Sequence, residues 1–520
     1  MLKHIKNLIT IKKNPIIFLL ILYFLAVSIR LYVVKDYNFP FWFDNGRDAM
    51  VSREILEKAD LKVQGPTASG TGDAVYHGVF YYYLIGPLYS IFAGDPQSVL
   101  NTLIIFSSLA IFAVYGLSFD LTHKKSTALL AAFFYVFSFD AIRANTWFSN
   151  PIIASVSIPF LFYLLHLIFF KKNKNKYLLP SLAFVLALTH QSAILFVTLW
   201  GVVAVAFFYA AQNKKFLKNF SLKNIFTSLI VYLLGISSML LAQFKAFRAG
   251  IFNLSSIGAS VNSVGNNFDI IWGTVKLIIL KLSQVIFPSL PILSLILITI
   301  LIIFIIKTFS KSKQIFLLLV VSSPLFLLSW RYYNMYHSFF GLEALAVIVL
   351  AIFIFNLSKF RYHRFLQIGI ITLFLFSNIS ALKLESEQRA TLYYLPQGAY
   401  LKDQLDLIDK SYQLAEGQDF SISSVTNPYG YNSLWSYLYS WYGQEKYDYT
   451  PKFYGPKQAG LFGEDLLEEA DAPSETHFSI HEPTEGIPVW LRSEFQQDQT
   501  REIGELINES KFGTMKLELR

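Results

Sequence analysis

Stretches of roughly 20 apolar residues recur along this chain from Pro15 to Leu382, each long enough to cross ~30 Å of hydrocarbon as a helix. Inside lipid every backbone N–H and C=O must be satisfied within its own segment, so such runs fold as helices. The charge content agrees. Only 15% of the 520 residues are charged and 54% are hydrophobic, too little charge to cover a soluble protein of this size. There is no cysteine, which removes disulfides, zinc-thiolate sites and thiol catalysis. The chain reads as a polytopic α-helical membrane protein.

Basic clusters punctuate the apolar runs at Lys3–Lys13, Lys124–Lys125, Lys171–Lys176, Lys214–Lys223, Lys307–Lys313 and Lys359–Arg364. The positive-inside rule places them in the cytoplasm. About 11 crossings follow: Pro15–Val34, Ser98–Phe119, Ser126–Phe139, Ile152–Phe170, Tyr177–Thr189, Ser192–Tyr209, Asn224–Ala242, Pro288–Ile306, Gln314–Leu328, Phe340–Phe355 and Phe365–Leu382. The first is read as a retained helix, because its apolar run is too long for a signal peptide and no small-residue cleavage site follows. An odd count puts the N-terminus in the cytoplasm and the C-terminus outside a plasma (inner) membrane.

From Lys383 to Arg520 there are 12 basic and 23 acidic residues, a net of −11; before Lys383 there are 32 and 12, a net of +20. The shift divides a membrane domain, 1–382, from an extracytoplasmic soluble domain, 383–520. Within the latter, "DFSISSVT" and "HFSIHEP" read as strands and Gly398–Leu414 as a helix. "YNSLWSYLYSWYG" reads as an aromatic helix and the last twenty residues as a hairpin, giving a small α/β domain. The basic membrane part does not signal nucleic acid, since its charges lie at helix ends. Two outer loops are long: 35–97, with room for interfacial helices, and Gln243–Trp272, rich in Gly, Ser and Asn and so a candidate lid.

Nearly all acids of the membrane part fall in outer loops or at outer helix ends. In "FWFDNGRDAM", Asp44, Arg47 and Asp48 stand at i, i+3 and i+4 and would share one helix face. They form either an interfacial salt-bridge cluster or a general base, Asp44, oriented by its neighbours. In "VYHGVFYYYLIGPLY", His77 and Tyr82 are candidate substrate contacts, although Tyr81–Tyr83 also suit an aromatic belt. In "SWRYYNMYHSFFGLE", Arg331, Tyr332 and His337 join two outer helix ends; an arginine there either snorkels to the interface or sets its fork on phosphate oxygens. Lys245 and Arg248 offer the same at another helix end. Arg143 and Asn145 in "FDAIRANTWFSNP", and His190 at a tight turn, are either polar loop residues or sugar contacts. No P-loop, GxGxxG, HExxH or nucleophile elbow is present.

A first helix ending "IRLY", then "FDNGRDAM", "YHGVFYYYLIGPLY" and a later "RYYNMYHSF", together resemble the bacterial glycosyltransferases of family 39. That group includes protein O-mannosyltransferases and lipid A aminoarabinose transferases. The resemblance implies a GT-C fold, a polyprenyl-phosphate-linked sugar as donor and action on the outer membrane face. Asp44 corresponds to the family's loop aspartate. Asn45 replaces its glutamate, and Asp48 is the available second carboxylate. His77 to Tyr82 correspond to a His/Lys-Pro-Pro-Leu-Tyr-Tyr segment without its prolines, and Arg331-Tyr332 to a donor-phosphate contact. The acceptor would be a hydroxyl of a protein, lipid or glycan. No cofactor is required, and a divalent metal at the outer carboxylates stays open. A lipid-linked glycan flippase and a non-catalytic glycan-binding assembly subunit are the competing readings. The first would spread polar residues through the bundle. The second would leave Asp44 dispensable.

Overall fold

The computed structural model describes residues 14–67, 75–212, 221–249, 267–324, 336–388, 398–455, 466–484 and 487–520. Among them the chain divides into two compact units. One comprises Met1–Leu31, Lys62–Tyr81 and Leu103–Leu384; the other comprises Tyr32–Leu61, Tyr82–Thr102 and Glu385–Arg520.

The first unit is a helix bundle. Counting helices that run into it, seven described helices are long and apolar enough to cross a membrane: Pro15–Val33, Pro96–Thr122, Ile152–Phe170, Ile194–Ala211, Pro291–Thr308, Leu342–Lys359 and His363–Gln388. Two further spans are broken. Lys125–Phe137 meets Phe139–Asn145 at 66°, and Leu222–Gly235 meets Ser237–Arg248 at 60°. The first break has a local cause. Ser138 is extended, and its hydroxyl accepts from the Ala141 amide at 3.3 Å, so it caps a new helix instead of continuing the old one. Leu178–Ser192 is a shorter apolar helix, and the expected crossing Gln314–Leu328 runs beyond the described residues.

In the second unit the C-terminal residues form a five-stranded sheet in the order β2-β1-β3-β5-β4. Its strands are β1 (Ser421–Val425), β2 (Lys452–Phe453), β3 (His477–His481), β4 (Asn508–Phe512) and β5 (Met515–Leu519). β1 runs parallel to β2 and β3, while β5 is antiparallel to β3 and to its hairpin partner β4. The amphipathic helix Leu401–Ala415, the helical stretch 433–447 and the helix Val489–Glu502 accompany the sheet, Phe495 of the last packing against Val425 of β1. Trp435, Tyr437 and Tyr439 are fully buried, so these aromatics are core.

Parts of the segment 35–97 belong to this second unit. The Phe41 amide donates to Ala399 O at 2.7 Å and the Leu401 amide to Phe39 O at 3.0 Å. The Gln404 side chain donates to Phe41 O at 2.7 Å, and the Tyr437 hydroxyl to Gly94 O at 2.5 Å. Phe41 also stacks on Tyr437. The charge shift draws a boundary at Lys383 because net charge does not register which loop residues pack with the C-terminal part of the chain. The aromatic loop residues are instead apolar surface that the soluble sheet and helices bury.

Candidate functional site

The stretch around Asp44 folds as the helix Phe43–Glu57 in the second unit. Trp42 is extended at its start, and the Asn45 side-chain oxygen accepts the Trp42 amide at 2.9 Å. Asn45 is therefore a capping residue, buried at 2% exposure. Gly46 is where this helix meets Ser433–Leu438: a Cβ there would stand 2.9 Å from Leu434 Cα.

This packing puts Asp44, Arg47 and Asp48 on one face, as their spacing anticipates. Arg47 Nη1 bonds Asp44 Oδ1 at 2.6 Å, while Nη2 and Nε bond Asp48 Oδ1 at 2.6 and 3.0 Å. One guanidinium is thus shared by two carboxylates in different surroundings. The Asp48 side chain is 2% exposed and that of Asp44 43%. Trp42 Nε1 donates to the other Asp44 oxygen at 3.3 Å. Burial pushes the Asp48 carboxyl up to about 6 even though the Arg47 guanidinium opposes it. The Tyr82 hydroxyl lies in the field of both and is raised by its own burial. The arrangement presents one accessible carboxylate, fixed on both oxygens, in front of a buried counter-charge. Among the described residues no three or more metal-ligating side chains gather. Where a bridging cation would sit between Asp44 and Asp48, Arg47 already stands.

A second polar group lies in the bundle unit. The Gly78 amide donates to Gln191 O at 3.2 Å, and the Phe80 amide to Gln191 Oε1 at 3.3 Å. Gln191 Nε2 donates to Gly235 O at 2.7 Å and Ser238 Oγ at 3.0 Å. Gln191 therefore ties the His77 segment to the second broken span. Position 78 must be glycine, because a Cβ would fall 1.8 Å from Gln191 Oε1. His77 Nδ1 accepts the Ile194 amide at 3.0 Å, which leaves Nε2 to carry the proton of the neutral ring. His337 packs edge-on against Phe196. His190 Nδ1 and Trp200 Nε1 both bond the Tyr232 hydroxyl, at 2.8 and 2.9 Å. Beside them an apolar cavity of about 520 Å³ runs between three helices, lined by Leu182, Leu186, Trp200, Val203, Phe207 and Tyr232.

Arg143 and Asn145 sit inside the bundle rather than on an outer surface. Asn145 is fully buried, with Oδ1 accepting from Arg30 Nε at 3.0 Å and Nδ2 donating to Ser155 at 2.9 Å. Its amide is committed to packing and is not offered to a sugar. Lys245 and Arg248 are exposed at the end of Ser237–Arg248. Arg331, Tyr332 and residues 250–266 of the lid candidate lie outside the described residues. Sequence reasoning missed Arg30, and it missed Lys281, whose ammonium pairs with Asp140 at 2.7 Å with both side chains buried. A lysine in the apolar run "TVKLIILKLSQ" and an arginine closing the first span were the available signals, since a charge at such a place needs a partner.

No protein-family model and no curated protein matches the chain. Among solved structures, its fold is similar to ArnT from Cupriavidus metallidurans bound to undecaprenyl phosphate. The two are 12% identical with a TM-score of 0.48, over 96% of this chain and 97% of that one. The apo state of ArnT gives 10% identity at the same score and coverage. It is also similar to the archaeal oligosaccharyltransferase AglB from Archaeoglobus fulgidus in complex with an inhibitory peptide and a dolichol-phosphate. There the identity is 14% and the TM-score 0.45, over 85% of this chain and 64% of that one.

Proposed function

We propose that this chain is a membrane glycosyltransferase of the GT-C type. It moves a sugar from a polyprenyl-phosphate-linked donor to a hydroxyl acceptor on the outer face of the membrane. The observation that carries the reading is the pairing of an accessible Asp44 with a buried Asp48 through Arg47. A phosphate-linked sugar is already activated, so the protein needs a base for the acceptor and positive charge for the leaving phosphate. Asp44 takes the acceptor proton. The acceptor oxygen then attacks the anomeric carbon, and the carbon–oxygen bond to phosphate breaks with its electron pair on the phosphate. In-line attack inverts the anomeric centre. Arg331 and Tyr332 are assigned to the donor phosphate, and the apolar cavity beside His190 and Tyr232 suits a prenyl chain.

The test is purified protein in lipid nanodiscs with a panel of polyprenyl-phosphate sugars and hydroxyl acceptors, products being read by mass spectrometry. Asp44→Asn keeps the size of the side chain and removes its basicity, and general-base catalysis is typically worth ~10²–10⁴-fold. Turnover should fall by that factor while donor binding persists. Undiminished turnover in Asp44→Asn would remove the base from the mechanism.

A further inference from the structure

The helix Ser237–Arg248 turns 60° away from the apolar helix before it. It presents three kinds of surface. Met239, Ala242 and Ala246 are buried, the two alanines against Tyr76. Leu240, Leu241, Phe244 and Phe247 form an exposed apolar stripe, Phe247 at 65%. Lys245 and Arg248, one turn apart and exposed, border that stripe at the helix end. No acidic residue occurs in the chain between Asp140 and Asp269, so these cations have no carboxylate neighbour in their own segment.

An apolar stripe edged by cations on a helix inclined to a spanning helix is the arrangement of an interfacial helix. A neutral membrane surface would require only the stripe, whereas the cations add attraction for phosphate that carries net negative charge. We infer that Ser237–Arg248 is a binding site for anionic phospholipid of the bilayer, with Leu240, Phe244 and Phe247 among the acyl chains and Lys245 and Arg248 on the lipid phosphate. This site is independent of the donor sugar and of Asp44.

Each cation near an anionic surface contributes about a 5-fold preference, and the pair about 30-fold. The absence of native cysteine permits a direct test. The full-length Leu241→Cys protein, labelled with a fluorophore, is reconstituted in phosphatidylcholine nanodiscs containing a minority of phosphatidylglycerol. Bromine is carried on the acyl chains of one lipid or the other. Brominated phosphatidylglycerol should quench well beyond its share of the bilayer, and added salt should reduce that excess. Lys245→Gln with Arg248→Gln should abolish it, with gel filtration and melting temperature confirming the fold of the variant. Quenching in proportion to bulk composition would overturn the inference, leaving the cations as partners of the helix dipole. So would an excess that survives in the double variant, or no quenching by either lipid. Displacement by polyprenyl phosphate at a site phosphatidylglycerol does not occupy would make the pair a donor contact and equally defeat it.

Discussion

Replacing Asp48 by asparagine tests the asymmetry on which the proposed base depends. In the folded protein the Asp48 carboxyl is raised from an ordinary 3.8 to about 6, chiefly by burial. The folded state therefore holds this proton more tightly than the unfolded chain does. Linkage then makes stability fall as pH rises from about 4 to about 6, with no further change outside that window. The difference between 3.8 and about 6, at about 1.36 kcal/mol per pH unit, amounts to about 3 kcal/mol. Asp48→Asn cannot titrate and lacks this dependence. Glu482, buried and raised to about 7, slopes the same way, so the quantity to follow is the difference between wild type and variant. Melting temperature by scanning fluorimetry from pH 4 to 8 should show the wild type gaining on the variant as the pH is lowered. Activity should move oppositely. With Asp48 protonated or amidated, Arg47 turns its full charge on Asp44, 2.6 Å away, and weakens it as a base. The variant at pH 7.5 should then resemble the wild type at pH 5 in kcat. If Asp48→Asn keeps both the pH slope of stability and the acid limb of activity, the shared-guanidinium argument is wrong.

Other outcomes follow from particular contacts. Lys281→Met strands Asp140 in the bundle and should cost about 3–5 kcal/mol, whereas Lys281→Met with Asp140→Leu should recover most of it in thermal melts. Gly78→Ala collides with the backbone as well as the side chain of Gln191 and should lower stability by about 1–3 kcal/mol, visible as a lower melting temperature. Arg331→Ala should raise the KM for the polyprenyl-phosphate donor in a protein that still folds; an unchanged KM would return Arg331 to a snorkelling role. Reporter fusions at Lys172 and Lys452 should report opposite sides of the membrane.

The helices and the Asp44 cluster were legible in the sequence because each depends on local spacing. Apolar length marks a crossing, and i, i+3, i+4 marks a shared face. The strands β1, β3 and the terminal hairpin were legible from alternation and turn residues. The breaks at Ser138 and Ile236 were not: Ser138 restarts the helix with a capping hydroxyl that an apolar run does not announce, and at Ile236 the helix restarts with no side-chain cap at all. The inward fate of Asn145 was hidden because its partner Arg30 lies 115 residues away. Likewise, nothing in "FDNGRD" says that Asn45 would cap and that Asp44 and Asp48 would be separated by burial. That difference comes from packing around Gly46 and Leu434, far apart in the chain.

The attachment of Phe39 and Phe41 to Ala399, Leu401 and Gln404 also sets an order of events in biosynthesis. The segment bearing Asp44 leaves the ribosome early, but its hydrogen-bonding partners emerge only after the last membrane helix has been made. Until then the loop backbone has water in place of those partners, and the helix face at Gly46 has nothing to close against. A chain interrupted after Leu384 would carry every carboxylate of the cluster without the frame that holds them. The placement of Asp44, Arg47 and Asp48 is therefore a property of completed molecules.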